Sequence, residues 1–357
     1  MGVKKTLKKI WDKFTSSDRI LVTGGLGYIG SHTVVELMEA GYDVYVVDNL
    51  SNSNIEVLNG IEAITGKRPV FENIDCTDYV AMDKFFTKYE GFKAVIHFAA
   101  YKAVGESVSK PLRYYRNNIL SLVNVLELMP IHQTEGIVFS SSCTVYGQPD
   151  KLPVDEKSPI KDALSPYGYT KQVCERIIMD TVHASEDMNA VILRYFNPIG
   201  AHPTASIGEL PNGVPNNLVP FVCQTVSGVH KKLSVFGNDY NTPDGTCIRD
   251  YINVVDLAKA HVKAIERLFD GKMKKPEIYN IGTGKGASVM EVIKTFEAVS
   301  GKRVPYEVVG RREGDIERVW ANPALANKKL NWQAETSFEE TLLSAWRWQE
   351  VVNKRTK

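Results

Sequence analysis

Residues 19–32 read Arg19-Ile20-Leu21-Val22-Thr23-Gly24-Gly25-Leu26-Gly27-Tyr28-Ile29-Gly30-Ser31-His32. Arg19 to Thr23 is an apolar run of buried-strand length. Glycines follow at once, and a helical pattern continues to Ala40, with Gly41 closing it. Gly25, Gly27 and Gly30 fit G-x-G-x-x-G; Gly24, Gly27 and Gly30 fit the variant spaced by three. Glycines at a strand-to-helix turn let the backbone approach a pyrophosphate, and the helix N-terminus offers that anion free N–H groups and a favourable dipole. Tyr42 to Val47 is the next strand and ends at Asp48. An acid there can hydrogen-bond both ribose hydroxyls of adenosine and repels a 2′-phosphate. Strand, glycines, helix, strand and acid in one unit point to a dinucleotide site, for NAD rather than NADP.

The strand–helix alternation continues outward. Pro69 to Ile74 is a strand leading to Asp75 and Cys76, which would flank the adenine; 78–89 is helical. Ala94 to Ala100 is a buried strand with small residues at its end, where a cofactor could pass, and Lys102 follows. Residues 112–129 are helical and carry Asn117 and Asn118. Ile137 to Ser140 is a strand running into Ser140-Ser141-Ser142-Cys143-Thr144-Val145-Tyr146-Gly147. Ligands bind at strand ends in an open parallel sheet, so the serines are either hydroxyl donors into a site or caps for the next element. No G-x-S-x-G elbow exists, which disfavours a hydrolase nucleophile.

Ser165-Pro166 then reads as a helix start, with Ser165 at the N-cap and Pro166 at the first helical position. Tyr167 and Lys171 follow one turn apart on one face. A phenol of pKa ~10 is a poor base at neutral pH, but a nearby cation favours the phenolate. The other reading of this short pattern is an accidental pair on a solvated helix. Ala190 to Tyr195 is another strand. From Phe196 the texture changes: Asn197, Pro198, Gly200, Pro203, Gly208, Pro211, Gly213 and Pro215 mark a long irregular stretch, of the kind that is usually functional. Helical patterns follow at 217–228, 254–269, 288–299 and 337–352. Arg249 and Arg311-Arg312-Glu313 are expected in loops, as solvated charges or as the arginines a nucleotide diphosphate needs.

Composition excludes several classes. The chain has 357 residues and a formal net charge of +1, which implies no global field for nucleic acid. No apolar run approaches a membrane span. Cysteines 76, 143, 174, 223 and 247 form no C-x-x-C pair, so free thiols in a reducing compartment are expected. The seven histidines are scattered without H-E-x-x-H, and no metal site is expected. Residues 1–18 stand apart: lysines alternate with apolar residues, and Met1-Gly2-Val3-Lys4-Lys5-Thr6 fits a myristoylation pattern. They read as a plain basic extension, with membrane anchoring as the alternative.

Together these residues resemble the extended short-chain dehydrogenase/reductases and, within them, the UDP-galactose (UDP-glucose) 4-epimerases. The resemblance covers nearly all of 19–350. It is carried by the glycine loop, Asp48-Asn49-Leu50, His97 to Ser107, Ser140 to Gly147, Arg194-Tyr195-Phe196-Asn197-Pro198, Pro215-Asn216-Asn217-Leu218, Phe236-Gly237-Asn238-Asp239-Tyr240, Arg249-Asp250-Tyr251 and Arg311-Arg312-Glu313-Gly314-Asp315. It implies an α/β fold: a Rossmann-type doubly wound parallel sheet over 19–195 that binds NAD, with a smaller C-terminal α/β substrate domain. That second part, 196–357, would hold the UDP-sugar and return segments to the sheet.

The implied reaction is reversible epimerisation at C4 through a 4-keto sugar, with no net use of NAD. The resemblance makes Tyr167 the base at the sugar 4-hydroxyl. Lys171 lowers its pKa and orients the cofactor ribose, Ser142 bonds the same sugar oxygen, and Thr144 lies close. It puts NAD on Gly24, Gly27, Tyr28, Ile29, Gly30, Asp48, Asn49, Asp75, Cys76, Phe98, Ala99, Lys102 and Asn117, as well as on Tyr167 and Lys171. It puts the UDP-sugar on Phe196, Asn197, Asn217, Leu218, Phe236, Arg249, Arg312 and Asp315. Val319 falls where a tyrosine would close the pocket to a 2-acetamido group, so activity on UDP-GlcNAc and UDP-GalNAc is expected too; the alternative is that Val319 merely fills the apolar wall with other side chains behind it. The resemblance further implies a cytoplasmic homodimer packed through helices near 107–128 and 167–184. A nucleotide-sugar 4,6-dehydratase would need a carboxylate pair where Cys143-Thr144 stands. A non-catalytic NAD sensor would be expected to lack Tyr167, Lys171 or Ser142.

Overall fold

The computed structural model describes residues 18–211, 213–273, 276–312 and 315–355. Residues 1–17 of the basic extension, Glu313 and Gly314 lie outside the described residues.

Seven parallel strands form the main sheet: β1 (Arg19–Thr23), β2 (Asp43–Asp48), β3 (Val70–Asn73), β4 (Phe92–His97), β5 (Gly136–Ser142), β6 (Asn189–Tyr195) and β7 (Glu277–Ile281). Their order is β7-β6-β5-β4-β1-β2-β3. Strand order reverses at β1, so a crevice opens between the carboxyl ends of β1 and β4, where such sheets bind ligands. This is the doubly wound arrangement expected from the alternation.

Because successive strand residues point to opposite faces, each strand feeds two apolar layers. Ile20 and Val22 join one layer with Val34, Val35 and Leu37 of α1 (Tyr28–Glu39). Leu21 joins the other, with Leu122 and Val125 of α2 (Pro111–Ile131) and Cys174 and Ile178 of α3 (Pro166–Ala184). The first layer is completed from far along the chain, by Leu257, Ala260 and Ile265 of α4 (Val254–Leu268) and by Tyr279 and Ile281 of β7. A third apolar cluster lies wholly beyond Tyr195 and includes Val222, Val235, Phe296 and Trp346.

Local rules explain the element ends. Ser165 caps α3 by accepting from Gly168 N at 3.1 Å, and Pro166 takes the first position. Ser288 and Glu291 form a capping box at the start of the helix 289–300. Most strand boundaries shift by one residue, and two strands shift by more. The strand expected at 94–100 begins at Phe92 and stops at His97, because Phe98-Ala99 leaves the sheet to pack on Gly24. The strand expected to end at Ser140 continues to Ser142, because Ser141 and Ser142 pair with Arg194 and Tyr195. Two short helices lie outside the expected set: 57–65, where Val57, Leu58, Ile61 and Ile64 recur at helical spacing, and the six-residue 104–109, too short to show a period.

Candidate active site

The glycine loop is built for close approach. Gly24 has φ +69° and its Cβ would lie 2.8 Å from Ala99 N, so a side chain there would collide with the β4 exit. A Cβ on Gly30 would lie 2.3 Å from Gly24 O, so α1 starts directly against the turn. Asp48 is buried and already organised: its carboxylate accepts from Leu26 N (3.1 Å), Leu50 N (2.9 Å) and Ser53 Oγ (2.8 Å). Beside it Asn49 Nδ2 donates to Asp75 (3.0 Å), and the Cys76 carbonyl accepts from Asn124. The residues suit a dinucleotide with free ribose hydroxyls: a loop with no room for Cβ atoms, and a fixed carboxylate next to it.

The other expected cofactor residues converge on the same edge of the sheet. Phe98 N donates to Thr23 O, which ties the β1 and β4 exits together. Lys102 Nζ lies 5.6 Å from the Tyr28 ring centroid and donates to Glu209. Asn117 donates to Asn118, whose side chain holds the Tyr101 backbone and Thr170 of α3.

Ser142 ends β5, and Thr144 sits in the tight turn Cys143–Tyr146 that follows. Tyr167 and Lys171 face them from the first turns of α3. Lys171 Nζ donates to Ser140 O at 2.6 Å and lies 5.9 Å from the Tyr167 ring centroid. Burial pushes the Tyr167 phenol up to about 12, while the nearby Ser142 hydroxyl opposes the rise. Burial lowers Lys171 to about 8, opposed by the Glu175 carboxylate. The Thr144 hydroxyl is buried without a protein partner, which leaves it a hydrogen bond to offer.

The expected sugar-nucleotide residues form a second group. Arg312 donates to Asp315 (2.7 and 3.2 Å) and its guanidinium lies 5.4 Å from the Phe236 ring centroid. Arg249 lies 3.9 Å from the same carboxylate. The expectation of a loop position for Arg249 needs correction: it ends a two-residue strand, between Ala287–Ser288 and Arg318–Val319. That pairing places Val319 directly opposite Arg249. Val319 is 3% exposed and packs in one apolar cluster with Val145, Phe196 and Ala321. Asn197 N donates to Asp250 O, and Asn217 precedes the helix that begins at Leu218.

Sequence reasoning missed Glu209. Its carboxylate accepts from Lys102 (3.0 Å) and Asn217 (2.7 Å), so it joins the two groups. It sits in the long irregular stretch, and nothing in its local pattern signals it. Among the described residues no cluster of His, Cys, Asp or Glu could hold a metal ion, and no helix is long and apolar enough to cross a membrane.

The family model described as GDP-mannose 4,6 dehydratase matches residues 21–344. The UDP-glucose 4-epimerase of Bacillus subtilis (strain 168) is 52% identical over 330 residues, covering 92% of this chain and 96% of that protein. The structure of UDP-glucose 4-epimerase from Bifidobacterium longum in complex with NAD+ and UDP superposes with a TM-score of 0.89 at 44% identity, covering 93% of this chain and 98% of that one. The enzyme from Stenotrophomonas maltophila, with bound NAD and formylated UDP-arabinopyranose, gives 0.92 at 43% identity over 95% and 99%. The chain therefore belongs to the family that the dehydratase model describes and, within it, to the UDP-glucose 4-epimerases.

Proposed function

We propose that this chain interconverts UDP-galactose and UDP-glucose by NAD-dependent 4-epimerisation, with Tyr167, Lys171, Ser142 and Thr144 at the reacting carbon. The carrying observation is the meeting of Tyr167 with the Ser142 hydroxyl and the Lys171 ammonium at one strand end. NAD, when bound, supplies reversible hydride transfer at the sugar C4. Tyr167 Oη takes the proton of the 4-hydroxyl and later returns it. Ser142 Oγ holds the same oxygen, and the unpartnered Thr144 hydroxyl lies two residues on. Lys171 keeps a positive charge near the phenol, which opposes the upward push of burial. Arg249 and Arg312 anchor the diphosphate by charge-assisted hydrogen bonds, beside the Phe236 ring. Firm grip on UDP leaves the sugar free to turn between its two faces.

The NAD-binding unit is assigned to 19–195, and the UDP-sugar unit mainly to 196–357. α4 and β7 are the segments that return to the sheet. A homodimer through α2, α3 and the helix 104–109 is supported by exposed Val108, Leu112, Leu120 and Tyr169. The five unbonded cysteines fit a reducing cytoplasm. Neither a dehydratase carboxylate pair nor the loss of Tyr167, Lys171 or Ser142 is found, so neither rival gains support. NMR of the product from UDP-galactose tests the proposal: UDP-glucose is expected, whereas a 4-keto-6-deoxy sugar or unchanged substrate refutes it. Tyr167→Phe keeps the fold and NAD but loses roughly 10²–10⁴-fold in turnover; near-native turnover would remove Tyr167 as the base.

A further inference from the structure

Beneath the four reacting side chains lies a buried ion pair that no step above uses. Glu175 and Arg194 are 1% and 2% exposed. Arg194 donates to Glu175 through Nε (2.8 Å to Oε1) and Nη2 (2.5 Å to Oε2). Ser141 Oγ donates to Glu175 Oε1 at 2.5 Å. Arg194 Nη1 donates to the Tyr146 hydroxyl at 3.0 Å, and that hydroxyl donates to Asn280 Oδ1 at 2.6 Å. Two of these contacts end next to a reacting group. Ser141 precedes Ser142, and Tyr146 closes the turn that carries Thr144. Glu175 is four residues after Lys171, on the same face of α3.

We infer that the Glu175–Arg194 pair is a positioning unit, which holds β5, the 143–146 turn and α3 in the relative placement that lets Ser142, Thr144, Tyr167 and Lys171 act on one carbon. The inference rests on the catalytic roles proposed above. Stability alone is a weak reason for such a pair, since the desolvation of two charges offsets most of their attraction and apolar replacement is often neutral. What apolar side chains would not supply is direction: a guanidinium fork and a two-oxygen acceptor fix three elements at hydrogen-bond precision. Glu175 also helps keep Lys171 protonated against burial. Among the other titratable neighbours, His97 on β4 is pushed down to about 3, burial raises Cys174 on α3 and Tyr195 on β6, and Glu156, which accepts from Asn280 N at 2.7 Å, faces Arg194 and is raised by burial.

The test uses full-length, NAD-loaded Glu175→Gln, Arg194→Met, the double Glu175→Met/Arg194→Met, and Tyr146→Phe. A displacement below an ångström at the reacting groups should lower kcat roughly 10–100-fold. KM for UDP-galactose should stay within about threefold, because the pair does not touch the UDP residues. The alkaline limb of kcat should move to lower pH in Glu175→Gln, a change that plain destabilisation would not make. The double variant, which leaves neither member of the pair without its partner, should fold yet remain slow. Tyr146→Phe leaves the pair intact but cuts its tie to the 143–146 turn, and should lower kcat several-fold. If the single variants do not fold, the double variant and Tyr146→Phe decide. A folded double variant with native kcat and an unmoved alkaline limb overturns the inference, as does a native kcat in Tyr146→Phe. Tyr167→Phe is measured alongside: if it is inactive while the pair variants are native, the positioning role falls and the catalytic reading stands. If Tyr167→Phe is active, the catalytic reading falls and takes the inference with it.

Discussion

Lys171→Met should make the protein slower and, at neutral pH, more stable. Lys171 is 4% exposed, and burial lowers its ammonium from 10.5 to about 8. A lysine whose folded pKa lies below its unfolded value binds its proton less tightly in the fold. Between pH 8 and 10.5 the unfolded chain holds more protons, so stability rises with pH across that window. Below pH 8 both states are charged and the fold carries the whole penalty, about 3 kcal/mol for a shift of this size. Methionine removes the penalty but leaves Ser140 O without its donor, which costs about 1–2 kcal/mol. The expected result is a gain of about 1–2 kcal/mol at pH 7 that vanishes by about pH 10, as the burial penalty fades and the lost hydrogen bond offsets what remains of it. Activity goes the other way. A unit charge about 6 Å from the phenol ring, at an effective dielectric near 20, stabilises the phenolate by about 3 kcal/mol, roughly 100-fold. Urea unfolding at pH 7 and pH 10 with matched NAD occupancy, together with initial rates on UDP-galactose, measures both. A variant less stable than the parent at pH 7, or one turning over within tenfold of it, refutes the reasoning.

Further outcomes are expected. Protein as purified should release NAD or NADH and no NADP on mass spectrometry, and Asp48→Ala should lower that content because the Leu26 and Leu50 N–H groups lose their acceptor. Wild type should turn over UDP-N-acetylgalactosamine as well as UDP-galactose. Val319→Tyr should suppress only the first, at about 1–3 kcal/mol of stability for overpacking a buried site; paired rates on the two substrates decide, and no acetamido turnover in the parent refutes the open pocket. Deleting residues 1–18 should leave turnover unchanged, and full-length protein should not sediment with anionic vesicles. Sedimentation that the deletion abolishes would instead support an anchor.

The glycine loop and its following strand were legible because their chemistry is local. Gly30 and Asp48 act through their own backbone or through residues close in sequence, so spacing along the chain is spacing in space; Gly24 was legible by the same spacing, although the Ala99 backbone it meets comes from the β4 exit. The α3 start was legible for the same reason, since Ser165, Pro166, Tyr167 and Lys171 obey rules that span a few residues. The family resemblance added the far residues one motif at a time, including Arg194 within its motif, yet gave neither Arg194 nor Glu175 a task.

What only the tertiary structure decided is which distant side chains share a charge or a wall. Ser141, Glu175, Arg194 and Tyr146 come from four elements and meet only because β5 and β6 are neighbours in the sheet with α3 packed against them. Glu209 joins Lys102 to Asn217 across 107 residues of sequence on one side. The Arg249 strand, and with it the wall behind Val319, exists because Arg318–Val319 pairs with it from 70 positions away. Periodicity and capping depend on neighbours along the chain and can be read there. Burial, ion pairing and shifted protonation depend on what packs from elsewhere, and these set the charge on Lys171 and the placement of the groups around it.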